Sequence, residues 1–73
     1  MEVKLNVPKK YLERFACLEK DNDLIDDCKY ILYFKDGWAL ADYPNVPVRS
    51  KKEALEYLKN ANRFDHETMK YLD

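Results

Sequence analysis

The chain contains a single glycine, Gly37, and this residue stands between two runs of strand-forming residues. The runs cover residues 28–35 and 38–43, and both are rich in the aromatic and aliphatic side chains that favour strands. The pair Asp36-Gly37 tolerates the positive φ angles of a type I′ turn, which connects two paired strands through two residues. The sequence therefore predicts a tight antiparallel hairpin over these residues.

A two-residue turn determines which residues of a hairpin share a face, because it sets the register of the two strands. One predicted face includes two alanines, which leave room for a packed helix, and we assign this face to the core. It comprises Tyr30, Leu32, Phe34, Ala39, Ala41 and Tyr43. The opposite face has an aromatic and aliphatic centre with charged residues at its ends. It comprises Lys29, Ile31, Tyr33, Lys35, Trp38, Leu40 and Asp42.

The apolar centre of the opposite hairpin face needs an explanation, because a sheet packed on one side normally presents polar residues on the other. A terminal helix or a loop that covers this face is one explanation. Contact with a partner protein is the second, since Trp and Tyr contribute strongly to protein–protein binding. The candidate partner-binding residues on this face are Ile31, Tyr33, Lys35, Trp38 and Leu40.

The residues before the hairpin predict a strand followed by a helix. Residues 2–7 alternate apolar and polar side chains, as a half-buried strand does. Pro8 suits the first turn of a helix, where its missing N–H leaves no hydrogen bond unmade. Apolar residues then recur with helical spacing on one side of residues 9–20. Clustered Asp and Asn side chains at residues 21–23 favour a turn and end this helix.

The residues after the hairpin predict an extended segment and a second helix. Residues 43–48 contain two prolines, and each proline disfavours helical backbone at the residue before it. Val46 and Val48 are candidates for a short edge strand. Ser50 and Glu53 form a capping box, the Ser-x-x-Glu pattern that starts helices, and an apolar helical pattern follows it.

Together these elements predict a single small α+β domain that spans residues 1–73 in the order β-α-β-β-α. A helix between the first two strands normally makes them parallel, whereas the two hairpin strands are antiparallel. The expected architecture is therefore a two- to three-stranded mixed sheet packed with helices. Folding of so short a chain removes only about 60% of its exposed surface, which leaves little volume for a deep ligand pocket.

Cysteine, histidine and glycine usage predicts no catalytic residue, no metal site and no cofactor. Cys17, Cys28 and His66 are the only cysteines and histidine, and they are too few and too far apart for a four-ligand zinc site. A single glycine does not suffice for a Gly-rich phosphate loop. We expect a non-enzymatic protein with reduced thiols, which are typical of the cytoplasm.

The charged residues are unevenly distributed, although 13 basic residues nearly balance 14 acidic ones. Residues 19–27 contain five acidic residues, and Lys20 is their only basic one. Such a run usually forms a solvated connection. The alternative hypothesis is that it imitates phosphates and enters a basic groove on a nucleic-acid enzyme. The candidate contact residues in this run are Asp21, Asp23, Asp26 and Asp27.

The size of the chain and its aromatic hairpin face predict a small cytoplasmic module that binds a larger protein. Inhibitors and adaptors encoded by phages and other mobile elements, acting on a nucleic-acid-processing complex, fit this size class. A single-stranded nucleic-acid-binding protein that stacks bases on Tyr33 and Trp38 is the alternative hypothesis. Self-association through the same face or through strand edges is a third. No apolar run is long enough for a membrane span, so no membrane partner is expected.

Overall fold

The structure, a computed structural model, describes residues 1–72 as two antiparallel β-sheets and one α-helix. In chain order the elements are β1 (Glu2–Val3), a 3-10 helix (Lys9–Arg14), β2 (Phe15–Lys20), β3 (Tyr30–Phe34), β4 (Gly37–Ala39), β5 (Asn45–Val48), α1 (Lys51–Lys59), β6 (Asn62–Asp65) and β7 (Lys70–Tyr71). The first sheet has the strand order β1-β2-β3-β5, and the second has the order β4-β6-β7. The predicted α+β fold, a mixed sheet packed with helices, is therefore wrong: the described residues form a mainly β fold.

The segment predicted as the first helix forms the short 3-10 helix and then strand β2. Phe15 and Leu18 are three positions apart, a spacing that suggests one face of an α-helix. In the structure, a β-bulge between Phe15 and Cys17 shifts the pairing with β3 by one residue. A bulge adds one residue to a strand, and it therefore brings Phe15 and Leu18 to the same face of the sheet. Both pack in the core, where Leu18 is fully buried.

The predicted hairpin between β3 and β4 is also wrong. β3 lies between β2 and β5, whereas β4 pairs with β6 in the other sheet. Asp36-Gly37 does form a turn, in which the Trp38 amide donates to the Lys35 carbonyl at 3.0 Å. Gly37 has a φ of 97°, but Asp36 does not have a positive φ, so the turn is not type I′. Among two-residue turns the primed types best match the twist of paired strands, and this turn instead leads the chain into the second sheet.

A type I′ turn lies five residues further along, at Ala41-Asp42. These residues have φ angles of 49° and 70°. Leu40 and Tyr43 exchange two backbone hydrogen bonds across the turn, at 3.1 and 2.9 Å. Alanine is strained at positive φ, so the sequence does not mark this position as a turn. The turn reverses the chain after β4 and directs it towards β5.

The proline-containing segment forms β5, which confirms the predicted edge strand at Val46 and Val48. The Phe34 amide donates to the Pro44 carbonyl at 3.0 Å. Hydrogen-bonded and non-hydrogen-bonded pairs alternate along antiparallel strands, so the pair of Ile31 and Pro47 is a non-hydrogen-bonded one. The Pro47 nitrogen therefore faces away from β3, where an edge strand tolerates a residue without an N–H.

The α-helix begins as the capping box predicts. Ser50 Oγ accepts a hydrogen bond from the Glu53 amide at 3.1 Å. Glu53 Oε1 in turn accepts a hydrogen bond from the Arg49 amide at 2.9 Å. Two amides at the start of α1 are thus satisfied by side chains, which stabilises the helix by about 1 kcal/mol.

The main core lies between the four-stranded sheet and α1. Its buried members are Leu18, Leu32, Phe34, Val46, Val48, Ala54, Leu58 and Ala61. The N-terminal strand ends at Val3 rather than at Val7, yet Leu5 and Val7 still pack against this core. Within residues 1–72, no helix is long and apolar enough to cross a membrane.

The second sheet has a separate and smaller apolar centre at the hairpin of β6 and β7. Phe64 is fully buried, and the ring of Tyr71 meets it edge-on with centroids 5.4 Å apart. Asp65 organises the loop between the strands: its Oδ1 accepts a hydrogen bond from the Glu67 amide at 2.9 Å. Its carbonyl accepts a second one from the Met69 amide at 2.8 Å.

Candidate functional site

The four-stranded sheet has two faces with different surroundings. Leu18, Leu32 and Val46 lie side by side on the inner face, in one core cluster with Ala54 and Leu58 of α1. Side chains alternate between the two faces along a strand, so the residues on either side of these three belong to the outer face. Within residues 1–72, no outer-face residue belongs to the main core or packs against it.

The outer face consists of two rows of residues that run across the strands. One row comprises Cys17, Tyr33 and Asn45. The other row comprises Glu2, Glu19, Ile31 and Pro47. Opposed side chains on paired strands lie about 5 Å apart, so the four apolar members form one patch. The two glutamates lie on the β1 side of this patch.

Two of the residues predicted to bind a partner lie at the centre of the outer face. Ile31 and Tyr33 are both half-buried, and they alternate with the buried Leu32 and Phe34 as the sequence predicts. Tyr33 is paired with Cys17 on one side and Asn45 on the other. A central tyrosine with smaller neighbours on both sides gives this patch its largest contact surface.

Cys17 is a nucleophile by residue type, but its surroundings suppress ionisation. Partial burial raises the pKa of its thiol, and the negative charges of Glu2 and Glu19 raise it further. A thiol is reactive when its pKa is lowered by positive neighbours, which is the opposite arrangement. Cys17 therefore contributes an apolar, weakly nucleophilic surface to the outer face.

The other predicted members of the hairpin face do not lie on the outer face. Trp38 and Leu40 are partly buried and pack against the main core, because β4 leaves the first sheet. The Trp38 ring centroid is 4.4 Å from the Arg14 guanidinium carbon and 5.5 Å from that of Arg63. Lys35 is exposed at the start of the turn. The predicted common face of Tyr33 and Trp38 is therefore absent, and this expectation was wrong because it rested on the hairpin.

Arg14 is a structural residue that sequence reasoning missed. Its Nη1 donates hydrogen bonds to the carbonyls of Leu58 and Lys59, at 3.0 and 3.1 Å. Positive charge at the C-terminus of a helix is stabilising, because the last carbonyls lack partners within the helix. The same guanidinium lies 5.0 Å from the Tyr11 ring. The contacts are 44 and 45 residues away in sequence, so no local pattern marks them.

His66 connects the C-terminal hairpin to β4. Its Nε2 lies 2.7 Å from the Trp38 carbonyl oxygen, and its Nδ1 lies 3.8 Å from Asp36 Oδ1. Cys17 and Cys28 are free thiols. Across residues 1–72, no three His, Cys, Asp or Glu side chains are grouped so that they could hold a metal ion.

The acidic run of residues 19–27 begins at the end of β2, which contains Glu19 and Lys20. Its remaining residues lie in the loop between β2 and β3, residues 21–29, which we call the acidic loop. Asp21 Oδ1 accepts a hydrogen bond from the Asp23 amide at 2.9 Å. Asp26 and Asp27 have φ angles of 57° and 62°, and the Cys28 amide donates to the Ile25 carbonyl at 3.1 Å. This is a type I′ turn.

None of the family models, curated proteins or solved structures compared with the chain matches it significantly. The geometry of the outer face is therefore the basis for assigning a function.

Proposed function

We propose that the protein is a small binding module that contacts a larger protein through the outer face of its four-stranded sheet. The observation that carries this proposal is the position of Ile31 and Tyr33 at the centre of a face that is separate from the main core. Tyrosine is among the residues that contribute most to protein interfaces. Binding of this kind allows an inhibitor to block a partner or an adaptor to join two partners.

The charges beside the patch favour a protein partner over single-stranded nucleic acid. Glu2 and Glu19 place carboxylates next to the apolar residues, and the Glu19 carboxylate lies 3.1 Å from the Met1 ammonium. Among residues 1–72 the carboxylate of Glu2 has no such partner, and it repels phosphates. Stacking of successive bases also needs several aromatic rings along one groove, whereas Tyr33 is the one aromatic residue of the outer face. A protein surface with an apolar centre and a basic residue opposite the two glutamates complements the outer face better.

The acidic loop joins β2 to β3 but lies beyond the ends of these strands. A partner seated on the outer face does not need to contact it. The proposal therefore depends on the outer face alone, and substitutions in Asp21, Asp23, Asp26 or Asp27 are expected to affect the rate of association more than the lifetime of the complex.

The first experiment compares the proteins captured from a host lysate by the intact chain and by a Tyr33→Ser variant. The matched control is Tyr43→Ser, because Tyr43 is 62% exposed and lies outside the outer face. Any protein captured by the intact chain and the control but not by Tyr33→Ser is then purified. We expect its affinity for Tyr33→Ser to be lower by about tenfold or more.

Cys17 provides a second experiment, because it lies on the outer face and Cys28 does not. A bound partner should protect Cys17 from maleimide labelling while Cys28 continues to react, and mass spectrometry of the labelled peptides separates the two sites. Equal labelling of Cys17 with and without the purified partner would show that the partner binds elsewhere. Binding of a short oligonucleotide at low salt that Tyr33→Ser abolishes would favour the nucleic-acid alternative instead.

A further inference from the structure

A shallow groove of about 190 Å³ lies between the 3-10 helix and α1. It is lined by Tyr11, Lys52, Leu55, Glu56 and Lys59. Tyr11 and Leu55 also pack against the main core, so they form a fixed apolar floor. Pockets for drug-sized ligands usually exceed about 300 Å³, whereas a cavity of about 150 Å³ accommodates a benzene ring. The groove therefore has room for one side chain of an occupant.

The charge around the groove is predominantly positive. Lys52 and Lys59 line it, and the Lys10 ammonium lies 5.1 Å from the centroid of the Tyr11 ring. Glu56 is the single acidic residue among those that line it. The complementary occupant is a segment with several carboxylates and one aliphatic side chain between them.

The chain itself contains such a segment, the acidic loop. Ile25 is 76% exposed in this loop, so its aliphatic side chain is available to a binding site. The acidic residues on both sides of it are Asp21, Asp23, Asp26 and Asp27. The exposure of Ile25 shows that the loop is not seated in the groove of its own molecule. The 3-10 helix beside the groove precedes β2 and the acidic loop follows it, and the six residues of β2 span roughly 20 Å.

We propose that the acidic loop of one molecule binds in the groove of a second copy, with Ile25 over Tyr11 and Leu55. The contact joins two different surfaces, so it is heterologous and lets further molecules add in the same direction. The area is small, which makes the association weak and reversible. Because lysine ammoniums meet carboxylates at an exposed contact, the association is also sensitive to salt.

Sedimentation equilibrium of the full chain tests the association directly. At about 50 mM salt, where the Debye length exceeds 10 Å, the mass-average molecular weight should rise with protein concentration. At about 500 mM salt the dissociation constant should be at least tenfold weaker, because the charges are screened. A chain that remains monomeric up to millimolar concentration at low salt would overturn the proposal.

Two variants identify the contact surfaces. The groove variant carries Lys52→Glu and Lys59→Glu, and the loop variant carries Asp23→Lys and Ile25→Lys. All four residues are exposed, and thermal unfolding checks that each variant is folded. Each variant alone should be monomeric. A mixture of the two variants should form a 1:1 complex and nothing larger. The groove variant keeps an intact loop and the loop variant keeps an intact groove, so only one such contact can form.

A charge-matched control distinguishes the groove from a general effect of net charge. It carries Lys4→Glu and Lys70→Glu, two exposed lysines outside the groove, and it should associate like the unmodified chain. Association that persists in the groove variant would refute this contact. Association that Tyr33→Ser abolishes would also refute it and would place the contact on the outer face. The proposal for the outer face is tested separately by Cys17 protection. Each proposal can therefore be refuted while the other stands.

Discussion

The two sheets are stabilised by different kinds of contact. The four-stranded sheet and α1 share a continuous apolar core, in which Leu18, Leu32, Val48 and Leu58 are fully buried. The three-stranded sheet has Phe64 as its one large fully buried side chain within residues 1–72. Burial of apolar area is the dominant source of stability. The first sheet therefore provides most of the stability of the whole chain.

The three-stranded sheet depends instead on aromatic and polar contacts. The Tyr71 ring, which is 46% exposed, packs on Phe64, and His66 contacts the Trp38 carbonyl. The Arg14 guanidinium lies against Trp38 and reaches α1. Contacts of this kind are individually worth about 1 kcal/mol. We expect this sheet to open before the first one does, as local unfolding proceeds from the least buried units.

The largest effect is expected from Leu32→Ala in the centre of the first sheet. Removing a fully buried leucine side chain lowers the free energy of unfolding by about 2–5 kcal/mol, which is comparable with the total stability of a small domain. Ile31→Ala is the matched control on the outer face, and it should cost less than about 1 kcal/mol. Urea denaturation measures both. Equal losses would mean that the outer face is packed rather than open.

Arg14→Met tests the connection between the two regions. The variant keeps the aliphatic stem but loses the hydrogen bonds to the Leu58 and Lys59 carbonyls, and we expect a loss of about 1–2 kcal/mol. Arg63→Met is the control, because it removes only the longer contact with Trp38. Hydrogen exchange of the Trp38 and Phe64 amides should accelerate in Arg14→Met. No change in these amides would show that Arg14 does not hold the second sheet.

Ala41→Gly should stabilise the protein, because glycine has no Cβ to clash at the φ of 49° found there. The free energy of unfolding should rise by about 0.5–1 kcal/mol, because the relief of backbone strain outweighs the stabilisation of the unfolded chain by the extra entropy of glycine. Ala39→Gly is the control in β4, where the backbone is an ordinary strand and glycine should destabilise by about 1 kcal/mol. Thermal unfolding of the two variants should therefore shift in opposite directions.

The smallest effect is a pH dependence confined to the C-terminal hairpin. Hydrogen bonds from the Glu67 amide and the Thr68 hydroxyl hold the pKa of Asp65 below its ordinary value. The contribution of Asp65 to the stability of the hairpin is therefore present above about pH 4 and is lost as the pH falls through the folded-state pKa. Desolvation and a hydrogen bond to Asp42 raise the pKa of Tyr71. The contribution of Tyr71 is therefore present below about pH 10 and is lost as the pH rises through the raised value.

Amide exchange in β6 and β7 measures this dependence, with β3 amides as the internal reference. Asp65→Asn should abolish the change at acid pH, and Tyr71→Phe should abolish the change at alkaline pH. A parallel change in β3 would indicate that the two sheets open together.

Patterns that span only a few residues correctly predicted several parts of the fold. The capping box of Ser50 and Glu53 starts α1, and the alternation of Ile31, Leu32 and Tyr33 separates the outer face from the core. Asp36-Gly37 is a turn, as predicted, although of a different type. Each of these features depends on hydrogen bonds or dihedral angles within about four residues, so the information is local.

Strand pairing depended on residues far apart in sequence, and local patterns misassigned it. The bulge in β2 places Phe15 and Leu18 on one face of a strand. A spacing of three residues is, however, also typical of one face of a helix. Only the pairing of β2 with β3 decides between these two interpretations, because it places both residues in the core. The position of Trp38 was misassigned for the same reason, since β4 pairs with β6 and not with β3.

The amino-acid sequence alone determined where α1 begins, that residues 30–34 form a strand with one buried face, and that Val46 and Val48 form an edge strand. The tertiary structure alone decided which strands pair, that the chain has two sheets, and that Arg14 joins α1 to β4. The physical reason is that caps and side-chain alternation are satisfied by neighbouring residues. The choice among pairing partners, by contrast, depends on the apolar surface that the whole chain buries.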